Sequence, residues 1–213
     1  MKMLRLEFDL QHHLVLSRRL DFDHAIIRLI LSALATPEEI ANLSKSNLKF
    51  KDEVFSVQLS GVRKRISPID EKTYHIIMRM EKERPFELNE EEIDSIVAKY
   101  SPKDKKYTAK SLRSAMITFL KDASLFDLEF EKLSQKELFD FMLDFNPVYS
   151  GTWLDEEGLQ EFVLNYSSLN NLSDPKVIAK ELALDEKFVA EVIKSGKSIF
   201  SLTKRFNSEK FIF

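Results

Sequence analysis

The chain has 213 residues, of which 44% are hydrophobic and 31% are charged, and its formal net charge is −3. This composition is typical of a globular protein with one or two domains, and it excludes a wholly disordered chain. The absence of cysteine excludes disulfides and thiolate metal sites. The sequence has no apolar stretch of membrane-spanning length and no signal-peptide pattern at its start, so we expect a cytoplasmic protein.

Charge is distributed unevenly along the chain. Residues 1–113 carry 21 basic and 18 acidic side chains, whereas residues 114–163 carry 3 basic and 11 acidic ones. An acidic segment is repelled by a phosphate backbone, so a nucleic-acid surface is expected only in the flanking parts of the chain. The acidic region 122–161 is expected to face away from such a surface or to contact a protein partner.

The hydrophobic periodicity predicts a mainly helical protein with one small sheet. The first segment, Leu4–Leu16, alternates between apolar and polar residues before its pattern becomes helical, and we leave its structure open. Thr36-Pro37-Glu38-Glu39 is a strong helix start, with threonine as the cap and glutamate three residues later. Further helices are predicted at 21–35, 40–43, 70–82, from residue 89, and at 108–120, 133–145, 155–166 and, as two short helices, within 175–195.

Three short apolar runs predict a three-stranded antiparallel meander. The strands are expected at 48–50, 54–59 and 62–66, and the last is expected to end at Pro68. Lys51-Asp52 and Ser60-Gly61 are expected to form the two tight turns.

Three sequence motifs occur in a characteristic order. The stretch 34–43 (LATPEEIANL) follows a helix, 65–69 (RISPI) ends the meander, and 110–113 (KSLR) begins a later helix. In these motifs and their order, residues 20–150 resemble the catalytic domain of tyrosine recombinases, the phage integrases. The resemblance implies a recombinase-like domain over residues 1–150, followed by a small helical extension over 151–213.

The same resemblance implies a DNA site with most of its chemistry missing. Family members attack a DNA phosphate with a tyrosine and stabilise its charge with two arginines and a histidine or tryptophan, while a sheet lysine acts as the acid. The first arginine position holds Thr36, the sheet lysine position falls near Ser60, and Lys110 replaces a histidine. Arg113 retains the second arginine, and Tyr149 lies near the nucleophile position. Since each lost donor costs roughly 2.7–4 kcal/mol of transition-state stabilisation, we expect DNA binding without strand transfer.

We expect the DNA surface to form from cations of distant segments that gather on one concave side. Double-stranded DNA is the expected partner, and no cofactor or metal is expected. The predicted DNA-binding residues of this surface are Arg63, Lys64, Arg65, Lys103, Lys105, Lys106, Lys110 and Arg113.

The segment 177–193 resembles a helix-turn-helix. Ala179 and Ala183 occupy the positions of close helix approach and of the turn, and Leu184, Val189 and Ile193 are expected to hold the two helices together. The outward positions of the second helix include acids, which disfavour approach to phosphates, so a packing hairpin is the alternative. Lys194 and Lys197, which follow, are the cations of this segment expected to contact phosphate.

Two other functions remain open on the sequence alone. One is a divergent active recombinase that uses Tyr149 and Arg113, with Lys64 as the acid. The other is a non-enzymatic assembly protein, for which the acidic segment would be the contact surface. The apolar end of the chain, Phe211-Ile212-Phe213, either closes the molecule's own core or docks on a second copy. Histidines 12, 13, 24 and 75 do not have the spacing of a metal site.

Overall fold

The structure, a computed structural model, describes residues 2–61, 64–123 and 132–196. Backbone contacts divide the chain into two units, Met1–Asp155 and Glu156–Phe213. The sequence-based boundary lies after residue 150. In the described ranges, no helix combines the length and the apolar character needed to cross a membrane.

The described helices and strands are α1 (Lys2–Ser17), α2 (Asp21–Ser32), α3 (Pro37–Ala41), β1 (Leu48–Lys51), β2 (Val54–Ser60), β3 (Lys64–Pro68), α4 (Glu71–Arg79), α5 (Glu90–Lys99), α6 (Ala109–Ala123), α7 (Gln135–Phe145), α8 (Glu156–Asn170), α9 (Pro175–Leu182) and α10 (Glu186–Ser195). Short 3-10 turns lie at Lys45–Asn47 and Thr152–Leu154. The prediction of a mainly helical protein with a small three-stranded antiparallel sheet is therefore confirmed.

Helix α2 forms the centre of the first unit and packs against α1, α4, α5 and α6. Its apolar residues from Ala25 to Leu31 are fully buried, as expected for a helix that is covered on all sides. The helix also carries a buried polar stripe, His24, Arg28 and Ser32, at intervals of four residues. An internal polar stripe requires partners from the surrounding elements.

The end of α2 differs from the prediction. The helix stops at Ser32 rather than at residue 35, because Leu34 adopts a left-handed backbone with φ of 52°. The N–H groups of Ala33 and Ala35 both donate to the carbonyl of Leu29, at 3.1 Å each, and these two hydrogen bonds close the end of the helix. This turn leaves the carbonyls of Ala33 and Leu34 available to other groups.

Residues Lys2–Ser17 form one continuous helix, α1, although apolar and polar residues alternate in its first part. The alternation does not indicate a half-exposed strand here, because the polar residues of this segment are buried. Asp9 and His13 are fully buried, and Gln11 is 2% exposed. Asp9 is satisfied by Tyr107 and Arg5, and His13 by the Asp9 carbonyl and Ser101. Gln11 donates from Nε2 to Glu7 at 2.9 Å, and its buried Oε1 has no hydrogen-bond partner among the described residues.

The sheet has the order β1-β2-β3, and both pairs of strands are antiparallel. Phe50 pairs with Phe55 at one end of β2, and Leu59 pairs with Arg65 at the other. Pro68 lies within β3, opposite Ser56, rather than beyond it. Proline is tolerated there because β3 is an edge strand. Helix α7 packs against β3, and α4 packs against β2 and α2.

The second unit contains the predicted pair of short helices, α9 and α10, together with α8. Its buried residues include Ile178, Leu182, Val189 and Val192. Of the residues expected to hold the two helices together, Val189 is fully buried, and Leu184 and Ile193 are half-buried.

Substituting Ala183 with glycine should stabilise the second unit. Ala183 is left-handed, with φ of 53°, and a residue with a Cβ is strained in that conformation. We therefore expect Ala183→Gly to raise the free energy of unfolding by about 0.5–1 kcal/mol, measured by urea titration. Ala190→Gly within α10 is the matched control and should lower it by about 1 kcal/mol. If both variants lose stability equally, the strain assignment is wrong.

Candidate functional site

The turn that follows α2 is the point where an arginine from the sheet and an arginine from α6 meet. Arg65, on β3, donates from Nη1 to the carbonyl of Ala33 at 2.7 Å and from Nη2 to the carbonyl of Leu34 at 2.8 Å. Arg113, on α6, donates from Nε to the same Leu34 carbonyl at 2.7 Å. The left-handed turn thus holds two guanidinium groups side by side.

Arg65 is also paired with a carboxylate. Its Nε lies 3.2 Å from Oε1 of Glu39, and its Nη2 lies 2.8 Å from Oε2. Glu39 is 5% exposed and also accepts the backbone N–H of Thr36 at 2.8 Å, which completes the predicted capping box of α3. Arg65 is therefore a fixed structural cation whose donors are largely occupied.

Arg113 has a different environment. It is half-buried, and within the described residues its two terminal amino groups form no hydrogen bond or ion pair. Burial and the adjacent charge of Arg65 lower the pKa of Arg113, and the more favourable charge of Glu39 offsets only part of this. Two guanidinium groups thus share one carboxylate, an arrangement that favours an added anion.

Gly61, which follows β2, lies close to this cluster. A Cβ at this position would lie 3.1 Å from Cγ of Glu39 and 3.3 Å from its Oε1. A side chain at this position therefore requires a small shift of Glu39, whose carboxylate orients Arg65.

The basic loop before α6 is anchored by a buried carboxylate of α1. Asp9 is fully buried and accepts from the hydroxyl of Tyr107 at 2.6 Å and from Nε of Arg5 at 2.9 Å. Lys105 Nζ lies 3.5 Å from the same carboxylate. Burial and the hydrogen bond to Asp9 raise the pKa of Tyr107. From the sequence, Lys105 was predicted to contact DNA. In the structure it has a carboxylate partner, Asp9, which lies 96 residues away in the chain.

The remaining predicted cations are placed as follows. Lys64, beside Arg65, and Lys110, three residues before Arg113, are exposed, as are Lys103 and Lys106 in the loop. Lys194 lies on α10 of the second unit and is exposed. Arg63 and Lys197 lie outside the described residues, as does the apolar end of the chain. The structure thus brings Arg65 and Arg113 together and places Lys110 on the helix of Arg113.

Tyr149 lies near Asp70 rather than beside the arginine pair. It is half-buried, its backbone N–H lies 3.3 Å from Oδ1 of Asn146, and burial and the charge of Asp70 raise its pKa. Among the described residues it forms no hydrogen bond with Arg113. A nucleophilic hydroxyl is activated by a base or by a lowered pKa, whereas the pKa of Tyr149 is raised.

A buried polar network below this region was not anticipated from the sequence. Arg28 Nη2 lies 2.5 Å from Oδ1 of Asp70, and its Nε lies 2.9 Å from Oγ1 of Thr73. On its other side, Nη1 lies 3.4 Å from Nε2 of His24, whose Nδ1 lies 2.8 Å from Oγ of Ser17. The four-residue spacing of His24 and Arg28 in an apolar helix was the available signal for this network.

The described residues contain no group of three or more side chains able to hold a metal ion. His12 and His13 are both buried, and their Nδ1 atoms contact the backbone carbonyls of Tyr100 and Asp9. Both histidines therefore help to pack α1 within the first unit. His75 lies on a different helix, α4, and is exposed.

A relative of this chain occurs in the archaeon Archaeoglobus fulgidus. That protein, described only as uncharacterized, is 45% identical over 204 residues, which cover 92% of this chain and 95% of the relative. The chain belongs to the same family as this archaeal protein. Because the shared sequence covers nearly all of both proteins, the family relationship extends into both units. No protein-family model and no solved structure matches the chain.

Proposed function

We propose that this protein binds double-stranded DNA through Arg113 and the neighbouring exposed cations, and that it does so without cutting the DNA. The observation that carries the proposal is the state of Arg113. Its Nε is fixed on the Leu34 carbonyl, its terminal amino groups have no acceptor in the described structure, and a second guanidinium lies beside it. A phosphate supplies the missing charge and two acceptor oxygens in one group.

The surrounding cations extend this contact along a DNA backbone. Lys64, Lys106 and Lys110 are exposed and form no ion pair within the described residues. Exposed lysines near an oriented arginine are typical of phosphate contacts, which position a protein on DNA without reading its sequence. Four phosphate contacts, including that of Arg113, give an expected slope of about −3 to −4 for log affinity against log salt concentration.

The order of elements supports a scaffold like the catalytic domain of tyrosine recombinases. A capped helix after a sharp turn, a three-stranded meander and a helix carrying Arg113 follow one another as they do in that family. Thr36 stands at the position of the family's first arginine, and the guanidinium of Arg65 reaches the adjacent turn from β3. Because the donors of Arg65 are largely occupied, we expect it to add positive charge beside Arg113 and leave the hydrogen bonds to a phosphate to Arg113.

The environment of Tyr149 supports binding without strand transfer. Burial raises the pKa of Tyr149, and the charge of Asp70 adds to this shift. A developing phenolate is disfavoured beside a carboxylate. A suicide DNA substrate is therefore expected to give no covalent adduct, and an adduct that disappears in Tyr149→Phe would favour the enzymatic alternative.

The test of the proposal is the DNA affinity of Arg113→Ala. We expect a loss of about tenfold or more, because a hydrogen-bonded charged contact is worth about 1.5–3 kcal/mol, measured by fluorescence anisotropy on a blunt duplex at several salt concentrations. Arg79→Ala, which removes an exposed arginine of α4, is the matched control and should bind like the wild type. Melting curves of both variants check folding.

Two results would contradict the proposal. The first is an equal effect of the two substitutions on affinity. The second is the absence of salt-dependent binding to any duplex, which would favour the assembly function. For that function the structure offers Glu137, Asp140 and Asp144, which are exposed at helical spacing along α7.

A further inference from the structure

One face of α6 is open to solvent on the side that carries Arg113. The other face packs against α1, α2 and α5, and its apolar residues are buried, with Leu112, Met116 and Phe119 at its centre. The open positions follow one another at intervals of three and four residues, which places them on one side of a helix. They are the exposed Lys110, Ser114 and Thr118 and the half-buried Arg113, Ile117 and Lys121. This surface, the α6 face, continues from Arg113 along most of the helix.

The α6 face is positively charged along its length. Residues 109–121 contain two lysines and one arginine and no acid. Acids stand at the ends of the helix, where Asp94 accepts the N–H of its first residue at 2.7 Å and Asp122 follows the last lysine. The carboxylate of Glu39, beside Arg113, is already paired with Arg65. The neighbouring α5, by contrast, begins with three exposed glutamates. A polyanion is therefore attracted to the α6 face and repelled from the start of α5.

Two exposed side chains at the centre of the α6 face are small and polar. Ser114 and Thr118 lie one turn apart, and the hydroxyl of Thr118 donates to the carbonyl of Ser114 at 3.0 Å. The oxygen of Thr118 still accepts a hydrogen bond, and the hydroxyl of Ser114 both donates and accepts. Helix α6 has 15 residues and is thus about 22 Å long. Its size and its small side chains match the major groove of DNA, which is about 12 Å wide and admits an α-helix.

We propose that α6 lies in the major groove of the DNA, where Ser114 and Thr118 contact base edges while Lys110 and Arg113 hold the adjoining phosphates. This inference rests on the proposed DNA binding and deepens it by naming the groove and the element that enters it. The minor groove, about 6 Å wide, is too narrow for a helix. Contacts through short hydroxyl side chains give only a modest preference for sequence, because a hydroxyl bonds to donors and acceptors alike.

The experiment compares a duplex of mixed sequence with the same duplex in which every cytosine is replaced by glucosylated 5-hydroxymethylcytosine, whose sugar fills the major groove. We expect the affinity of the wild type to fall about tenfold or more on the glucosylated duplex, because its base-edge contacts are lost. Fluorescence anisotropy at one fixed salt concentration measures this. Distamycin, which occupies the minor groove, should leave the affinity for the unmodified duplex unchanged.

A substitution at the centre of the α6 face assigns the groove contact to this helix. Ser114→Tyr leaves every charge in place but adds a ring that holds the helix away from the bases. It should lower the affinity for the unmodified duplex about tenfold and abolish the difference between the two duplexes. Ser95→Tyr, at an exposed serine in the middle of α5, is the matched control and should bind like the wild type. Melting curves of both variants check folding.

The possible failures can be distinguished. Arg113-dependent binding that is equal on the two duplexes would overturn the groove inference and leave the proposed function standing. Equal effects of Ser114→Tyr and Ser95→Tyr, or displacement by distamycin, would overturn it in the same way. If polyglutamate competes with the duplex as strongly as an equal charge of unlabelled DNA, the α6 face is a general anion surface and the inference is wrong. Absence of binding to any duplex overturns both proposals.

Discussion

Arg28→Leu is expected to lower the free energy of unfolding by about 3–5 kcal/mol. Arg28 is 2% exposed, and its guanidinium is the counter-charge of Asp70, which is 6% exposed. Removing the arginine leaves a buried carboxylate that, among the described residues, only Thr73 still hydrogen bonds, through its hydroxyl at 2.6 Å and its backbone N–H at 2.9 Å. Denaturation in urea, followed by circular dichroism, measures the loss.

Two further variants separate the ion pair from other effects. Asp70→Asn keeps an oxygen that can accept from Thr73 and cap α4, so the double variant with Arg28→Leu should be more stable than Arg28→Leu alone. Lys82→Ala removes one partner of the exposed pair Lys82–Glu87, at 2.9 Å, and should cause no measurable change. A loss of less than about 1 kcal/mol in Arg28→Leu would show that the carboxylate finds another partner or water.

The stability of the first unit is expected to decrease as the pH is lowered through the range below neutrality, because of its buried histidines. Burial lowers the pKa of His13 from 6.5 to about 4, against a weaker opposing effect of its hydrogen bond to the Asp9 carbonyl. Between these two values the unfolded chain binds a proton that the folded chain does not. The contribution of neutral His13 to the free energy of unfolding is therefore fully present above pH 6.5. It decreases by about 3 kcal/mol as the pH falls towards 4.

Differences between variants isolate this effect from the titration of carboxylates. His13→Asn removes the titrating ring, so its unfolding free energy should depend less steeply on pH between 6.5 and 4 than that of the wild type. His75→Asn, at an exposed position of α4, is the control and should keep the wild-type profile. Parallel pH profiles for His13→Asn and the wild type would contradict the prediction.

Because of His24, the free energy of unfolding continues to decrease below pH 4. Burial and the charge of Arg28 lower its pKa to about 2. This links the two predictions, because in Arg28→Leu the nearby positive charge is gone and the pKa of His24 should rise. Histidine chemical shifts followed by NMR over a pH titration would show this change.

Local signals in the sequence predicted much of the fold. Thr36-Pro37-Glu38-Glu39 identified the start of α3, and the turn residues around Lys51-Asp52 placed the first hairpin correctly. These two predictions succeed because a helix cap or a tight turn depends on residues only a few positions apart. The extent of α1 was not predictable in this way, since its polar residues are satisfied by partners distant in sequence.

The candidate site was predicted only in part for the same reason. The resemblance to recombinases pointed to Arg113, but what anchors this side chain is the Leu34 carbonyl, a backbone group that carries no sequence signal. Glu39 was recognised as part of a cap and not as the partner of Arg65. Lys105 was counted as a DNA contact without the knowledge that Asp9 lies within 3.5 Å of it.

The bonds that α1 forms have a consequence for synthesis of the chain on the ribosome. Asp9 is joined to Tyr107 across 98 residues, and Glu7 accepts from the indole of Trp153, at 3.1 Å, across 146 residues. Contacts of such long separation form only after the intervening chain is available. Glu7 and Asp9 therefore keep their water shells until residues 107 and 153 have been synthesised, and the first unit completes its core only after most of its chain is available.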